Sequence, residues 1–188
     1  MLENQNRSKL FNFALKAQNF SGMIISLVIL WSVWALFFTE IDNILISRVI
    51  LSALCLALAV IAPLIDFNES HATNPLWTGH ARFHLVWQVN ALAVTGFFVL
   101  FLLWMIPSQM NILISIVLLY IWLLSFFFAL LFMPAYDGKL NDVNGVPPIE
   151  INFFGKKIEI DRNVQAISAG SFVLSLIHIS EPTRPSQI

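Results

Sequence analysis

Four long apolar runs decide what this chain can fold into. A hydrocarbon layer roughly 30 Å thick takes about 20 residues of helix to cross, and it offers backbone N–H and C=O groups no partner except the helix's own ladder. Runs that meet this length extend from Phe20 to Phe38, Val49 to Ile65, His84 to Ile106 and Ile112 to Met133. The corresponding helices are expected over 20–38, 49–65, 76–106 and 110–133, in one all-α transmembrane domain covering 1–179. Pro107, Ser108 and Gln109 make a tight break, so the third and fourth helices should be antiparallel neighbours. A fifth, serine-rich helix is expected over 164–179.

Composition agrees with a membrane setting. Hydrophobic residues make up 58% of the chain and charged residues 11%, whereas soluble domains carry about 25% charged residues. A formal net charge of -1 supplies no basic field for nucleic acid. The single cysteine, Cys55, lies inside an apolar run and reads as a small helix-packing residue.

Cytoplasmic loops carry the excess of Lys and Arg. Arg7, Lys9 and Lys16 precede the first helix, Arg82 falls between the second and third, and Lys139, Lys156, Lys157 and Arg162 fall between the fourth and fifth. Only Arg48 sits at the opposite ends. The N-terminus is therefore expected in the cytoplasm, and the protein in a bacterial inner membrane. The sequons at Asn19 and Asn68 would then face the side where glycosylation does not occur. The late, long first run lacks the small-residue pattern of a cleaved signal.

The 134–163 loop is long enough to hold structure of its own. Within it, "IEINFFGKKIEID" alternates about Phe154-Gly155-Lys156 and predicts a β-hairpin over 149–161, with Ile149, Ile151, Phe153, Ile158 and Ile160 on one face. Such a hairpin should lie on the membrane surface or cap the bundle. There is no internal repeat of helix pairs of the kind that builds transporters from inverted halves.

Chemistry concentrates in "NPLWTGHARFHLVWQ", residues 74–88. Asn74 followed by Pro75 predicts a helix start. His80, His84, Gln88, Ala91 and Thr95 then share one stripe that should face something other than lipid, with Arg82 pointing nearly the opposite way. In the plainest interpretation the histidines bond to loop carbonyls, Trp77 and Trp87 belong to the aromatic belt, and Gln88 bonds across helices. A second places an anion, either a lipid phosphate or a carboxylate, at the free N–H groups of this helix with His80, Arg82, His84, Trp77 and Gln88 around it. A third is a metal-dependent membrane enzyme, since imidazoles four residues apart can share one ion. Asp66 or Asp137 would complete its shell, with Glu69 and His71 on the same side. The glutamate of His-Glu-x-x-His is absent, its slot filled by Ala81.

Haem needs histidines on different helices at matched depth, and His80 and His84 share one. A channel or transporter would show charges in mid-span, where only Ser26, Ser52, Asn90, Thr95, Ser115 and Ser125 occur. A structural subunit of a larger membrane complex would show a flat outer face with small residues at regular spacing, of which there is little. Membrane lipids and a small anionic ligand are the expected partners.

Two resemblances bear on these expectations. The Asn-Pro-x-Trp and His-Ala-Arg-Phe-His elements of residues 74–84, the four-helix layout and the "YDG...NGVP" loop are similar to small multi-pass membrane proteins of unknown function from bacteria and fungi. That likeness implies a recurring membrane fold and no catalytic residues. The C-terminal "LIHISEPTRP" resembles translated sequencing-adapter sequence. Residues 180–188 are accordingly expected to be non-native and the fifth helix cut short, which excludes His178, Glu181 and Arg184 from the fold.

Overall fold

A computed structural model describes residues 8–140 and 145–180. Arg7, which entered the charge count, and the adapter-like tail from 181 onward lie outside the described residues. The fold is a helical bundle with a small antiparallel hairpin before its last helix. We number the helices α1 (Lys9–Phe38), α2 (Asn43–Asp66), α3 (Gly79–Met105), α4 (Gln109–Phe132) and α5 (Arg162–Ser180). The first four are long and apolar enough to cross a bilayer.

Each helix begins where a side chain can satisfy its orphan N–H groups. Ser8 accepts from Phe11 N, Asp42 from Ile44 N, Thr78 from Ala81 N and Ser108 from Asn111 N. These caps start α1 and α2 well before the apolar runs do, because a helix begins where its first N–H groups find an acceptor and not where hydropathy rises. Pro63 would strip a hydrogen bond from α2 and press its ring on the carbonyl four residues back. The helix widens into a π turn over Ala57–Ile61 just before it, where the Ala62 N–H reaches Ala57 O.

α2 is the hub. Ile46, Ile50, Leu51 and Cys55 meet Val99 and Leu103 of α3, Ile112, Ile116, Leu119 and Leu123 of α4, and Val173, Leu174 and Ile177 of α5 in one buried cluster. α2 and α3 approach closely where a Cβ on Gly96 would stand 2.9 Å from Ala59 Cβ and 3.0 Å from Cys55 O. Small residues of this kind let backbones draw together where no hydrophobic drive separates protein from lipid. At the far end, Arg48 lies 4.2 Å over the Trp104 ring, whose Nε1 donates to Ser52 Oγ at 2.8 Å. Outward, Leu27, Leu30, Phe97, Phe98, Phe128 and Leu131 are exposed. An apolar coat of this extent suits hydrocarbon and not water.

The hairpin pairs β1 (Ile149–Phe153) with β2 (Lys156–Ile160) in the register Ile149 to Ile160 and Ile151 to Ile158. Phe154 (φ 47°) and Gly155 (φ 76°) form a two-residue turn with both positive φ angles, the geometry that matches strand twist. On the polar face Lys157 Nζ reaches Glu150 at 2.8 Å and Glu159 at 3.4 Å. Those two carboxylates hold its ammonium pKa above the usual lysine value. Opposite them Ile151, Phe153 and Ile158 are exposed.

Candidate functional site

The segment between α2 and α3 is a compact, internally bonded loop. Asn68 is buried and donates from Nδ2 to Ile65 O at 2.7 Å and Leu64 O at 3.2 Å. Its Oδ1 accepts from Ser70 N at 2.9 Å and Ser70 Oγ at 2.8 Å. Asn74, also buried, donates to Ser70 O and accepts from Leu76 N. Asn74 therefore closes a turn two residues ahead and is not the cap of α3. Thr78 takes that role, and the helix begins at Gly79, not at 76. Glu69 ties the loop to α1, accepting from Ser8 N at 2.8 Å and Ser8 Oγ at 2.6 Å.

This framework holds His71 and Trp77 edge to face, with ring centroids 5.6 Å apart. His71 Nδ1 stands 2.7 Å from Ser70 Oγ and 3.6 Å from Asp66 Oδ1. Both residues border a cavity of about 480 Å³. Its apolar wall is Phe126, Ala129, Leu130 and Met133, from the last turns of α4 and the 3-10 segment Met133–Tyr136. Asp137, Lys139, Asp161 and Arg162 form the polar rim. Asp137 adopts a left-handed conformation (φ 52°), and Gly138 follows it because the Tyr136 ring occupies the place a Cβ would need.

Charges on the rim are not equivalent. Asp161 caps α5, accepting from Asn163 N at 2.9 Å and Val164 N at 3.0 Å. Arg162 donates from Nε to Pro147 O and from Nη1 to Asn19 Oδ1, each at 2.8 Å, so it joins the loop, α5 and α1. Partial burial lowers its pKa, although a guanidinium stays charged. Lys139 is exposed at the cavity mouth.

Of the residues expected to form the site, Trp77 and Asp137 line this cavity. His80, His84 and Gln88 do not; they are exposed along the outer face of α3. The first part of the polar stripe, His80, His84 and Gln88, thus faces outward beside exposed Phe83 and Trp87, whereas Ala91 and Thr95 are half-buried. His80 and His84 meet with their Nε2 atoms 3.1 Å apart and rings at 88°. Arg82 is turned away, half-buried, its Nε enclosed without a hydrogen-bond partner among the described residues. Asp66 stands by His71 and Asp137 by the cavity, and among the described residues no three His, Cys, Asp or Glu side chains gather as a metal cluster.

No protein-family model matches the chain, and neither a curated protein nor a solved structure matches it.

Proposed function

We propose that the protein is a multi-pass integral membrane protein that binds an amphiphile with an anionic headgroup, such as an acidic phospholipid, in the cavity between α4 and the α2–α3 loop. The observation that carries this is the division of one cavity into an apolar wall from α4 and a rim bearing Lys139, Arg162 and His71. An acyl chain would lie on Phe126, Leu130 and Met133, and the head would meet the Lys139 ammonium and the Arg162 guanidinium beside His71, with Trp77 at the boundary where its ring packs carbons and its N–H meets water. Asp161 is turned to the backbone N–H groups of α5, which leaves the Lys139 ammonium to meet a headgroup. With Asp137 on the same rim the formal charges balance, so recognition rests on individual N–H donors and not on a net positive field. Arg82 lies in the first turn of the helix that begins at the same end and adds a positive charge there.

Binding of a fluorescently labelled anionic phospholipid to purified protein in neutral detergent tests this. A charge-assisted hydrogen bond contributes about 1.5–3 kcal/mol, so Lys139→Ala should weaken binding about tenfold or more. Ala129→Trp should block the apolar wall and abolish it. Wild-type affinity in both variants overturns the proposal, and thermal unfolding of each shows whether the fold was kept.

The same proposal places this end of the bundle in the cytoplasm and the α1–α2 and α3–α4 turns outside. Lys9, Lys16, Arg82, Lys139 and Arg162 all lie at or near this end, against Arg48 at the other. Cys55 is fully buried, so an added cysteine reports alone. In intact cells a membrane-impermeant maleimide should label Glu40→Cys and leave Lys139→Cys unlabelled until the cells are opened. The reverse pattern would place the cavity on the outer side.

A further inference from the structure

The pair His80 and His84 lies outside the cavity and takes no part in the proposed amphiphile binding. Both rings are exposed, yet they are not splayed into solvent as two independent side chains on a helix surface would be. Their Nε2 atoms converge to 3.1 Å with the ring planes at 88°. Two imidazole nitrogens bound at about 2.05 Å to a tetrahedral ion stand about 3.3 Å apart. The spacing found is within a few tenths of an ångström of that bite. One helical turn supplies it because side chains at i and i+4 lie one above the other. Phe83 and Trp87 flank the pair, with centroids 5.8 and 6.0 Å from the His84 ring, and restrict its rotation.

From this geometry we infer that His80 and His84 form a two-nitrogen clamp for a divalent transition-metal ion of the zinc and copper group. Imidazole suits these ions, whereas magnesium and calcium take oxygen donors. The protein supplies two donors, since no third His, Cys, Asp or Glu joins them among the described residues. The remaining coordination positions open outward and are filled by water or by a donor from another molecule. The clamp is therefore an open binding site. Neither Asp66 nor Asp137 belongs to it.

Copper(II) titration of the purified protein, followed by electron paramagnetic resonance, is the test. Wild type should show hyperfine splitting from two equatorial nitrogens, and Zn²⁺ in large excess, but not Mg²⁺ at the same concentration, should compete with the copper. Replacing even an outer hydrogen-bond partner of a metal ligand costs about tenfold or more in affinity, so losing a ligand in His80→Ala or His84→Ala should cost at least that. The histidine His71, held in the α2–α3 loop, is the control, and His71→Ala should bind as wild type does. Affinity unchanged in His80→Ala/His84→Ala, or lost equally in His71→Ala, overturns the inference. A one-nitrogen spectrum in wild type does so as well, because it would mean that the pair is held only by an N–H···N hydrogen bond. All these variants lie on exposed or loop positions away from the α2 hub, and an unchanged thermal unfolding midpoint shows that each is folded.

Discussion

Gly96→Leu should cost this protein about 1–3 kcal/mol of stability, the usual range for forcing volume into a close-packed contact. The obstruction is rigid on both sides. A Cβ at position 96 meets the Cβ of Ala59 at 2.9 Å and the backbone carbonyl of Cys55 at 3.0 Å, and neither atom can rotate away. Even Gly96→Ala should destabilise, although alanine gains about 1 kcal/mol over glycine in helix propensity. Ala59→Gly should restore part of the loss in the Gly96→Ala background, since it removes one of the two contacts and leaves the Cys55 carbonyl. Cys55 itself provides the readout. It is the only cysteine and is fully buried at this crossing, so its rate of labelling by a thiol reagent in detergent reports the parting of α2 from α3. Unchanged labelling and unchanged thermal unfolding in Gly96→Leu would mean that the two helices do not pack as described.

How much of this was legible in the sequence depends on the range of the interaction. The four spans follow from run length alone, because hydrocarbon rewards any unbroken apolar helix and leaves little else to decide. The hairpin was equally legible: alternation about Phe154-Gly155 fixes which residues share a face, and the observed register keeps Ile149, Ile151, Ile158 and Ile160 together. Helix starts were less so. Val49 looked like the beginning of α2 because hydropathy rises there, whereas Asp42 caps the helix seven residues earlier. Asn74-Pro75 looked like the cap of α3, but an asparagine can close its own turn, and Thr78 was available three residues before Ala81. The outward aim of His80, His84 and Gln88 could not be read from periodicity, which says which residues share a stripe and not which way the helix is turned. The cavity was least accessible. Its walls come from Ser70–Trp77, the end of α4, Asp137–Leu140 and Asp161–Asn163, segments brought together only by the bundle. One local signal did exist: the density of Asn, Ser and Thr in "NESHATN" marks a loop that bonds to itself and holds a fixed shape.

That loop is where the second large effect is expected. Asn68→Ala should lower stability by about 2–4 kcal/mol, because it removes several hydrogen bonds at about 0.5–1.5 kcal/mol each and leaves buried groups without partners. The Nδ2 group holds two carbonyls at the end of α2, Leu64 O and Ile65 O, and Oδ1 holds both the N–H and the hydroxyl of Ser70. One side chain thus fixes the exit from α2 and the first turn of the loop together, and water does not reach it. Asn68→Asp separates the two roles. It keeps the acceptor toward Ser70, loses the donor toward the helix carbonyls, and buries a carboxylate beside them, so it should be at least as destabilising as alanine. The consequence extends to ligand binding, since His71 and Trp77 take their positions from this turn through Ser70 and Asn74. At a temperature where the Asn68→Ala protein remains folded by thiol labelling of Cys55, its affinity for the labelled phospholipid should still fall. A variant that binds as wild type does while being less stable would show that the loop's shape is not what forms the cavity, and the polar rim would then have to act without it.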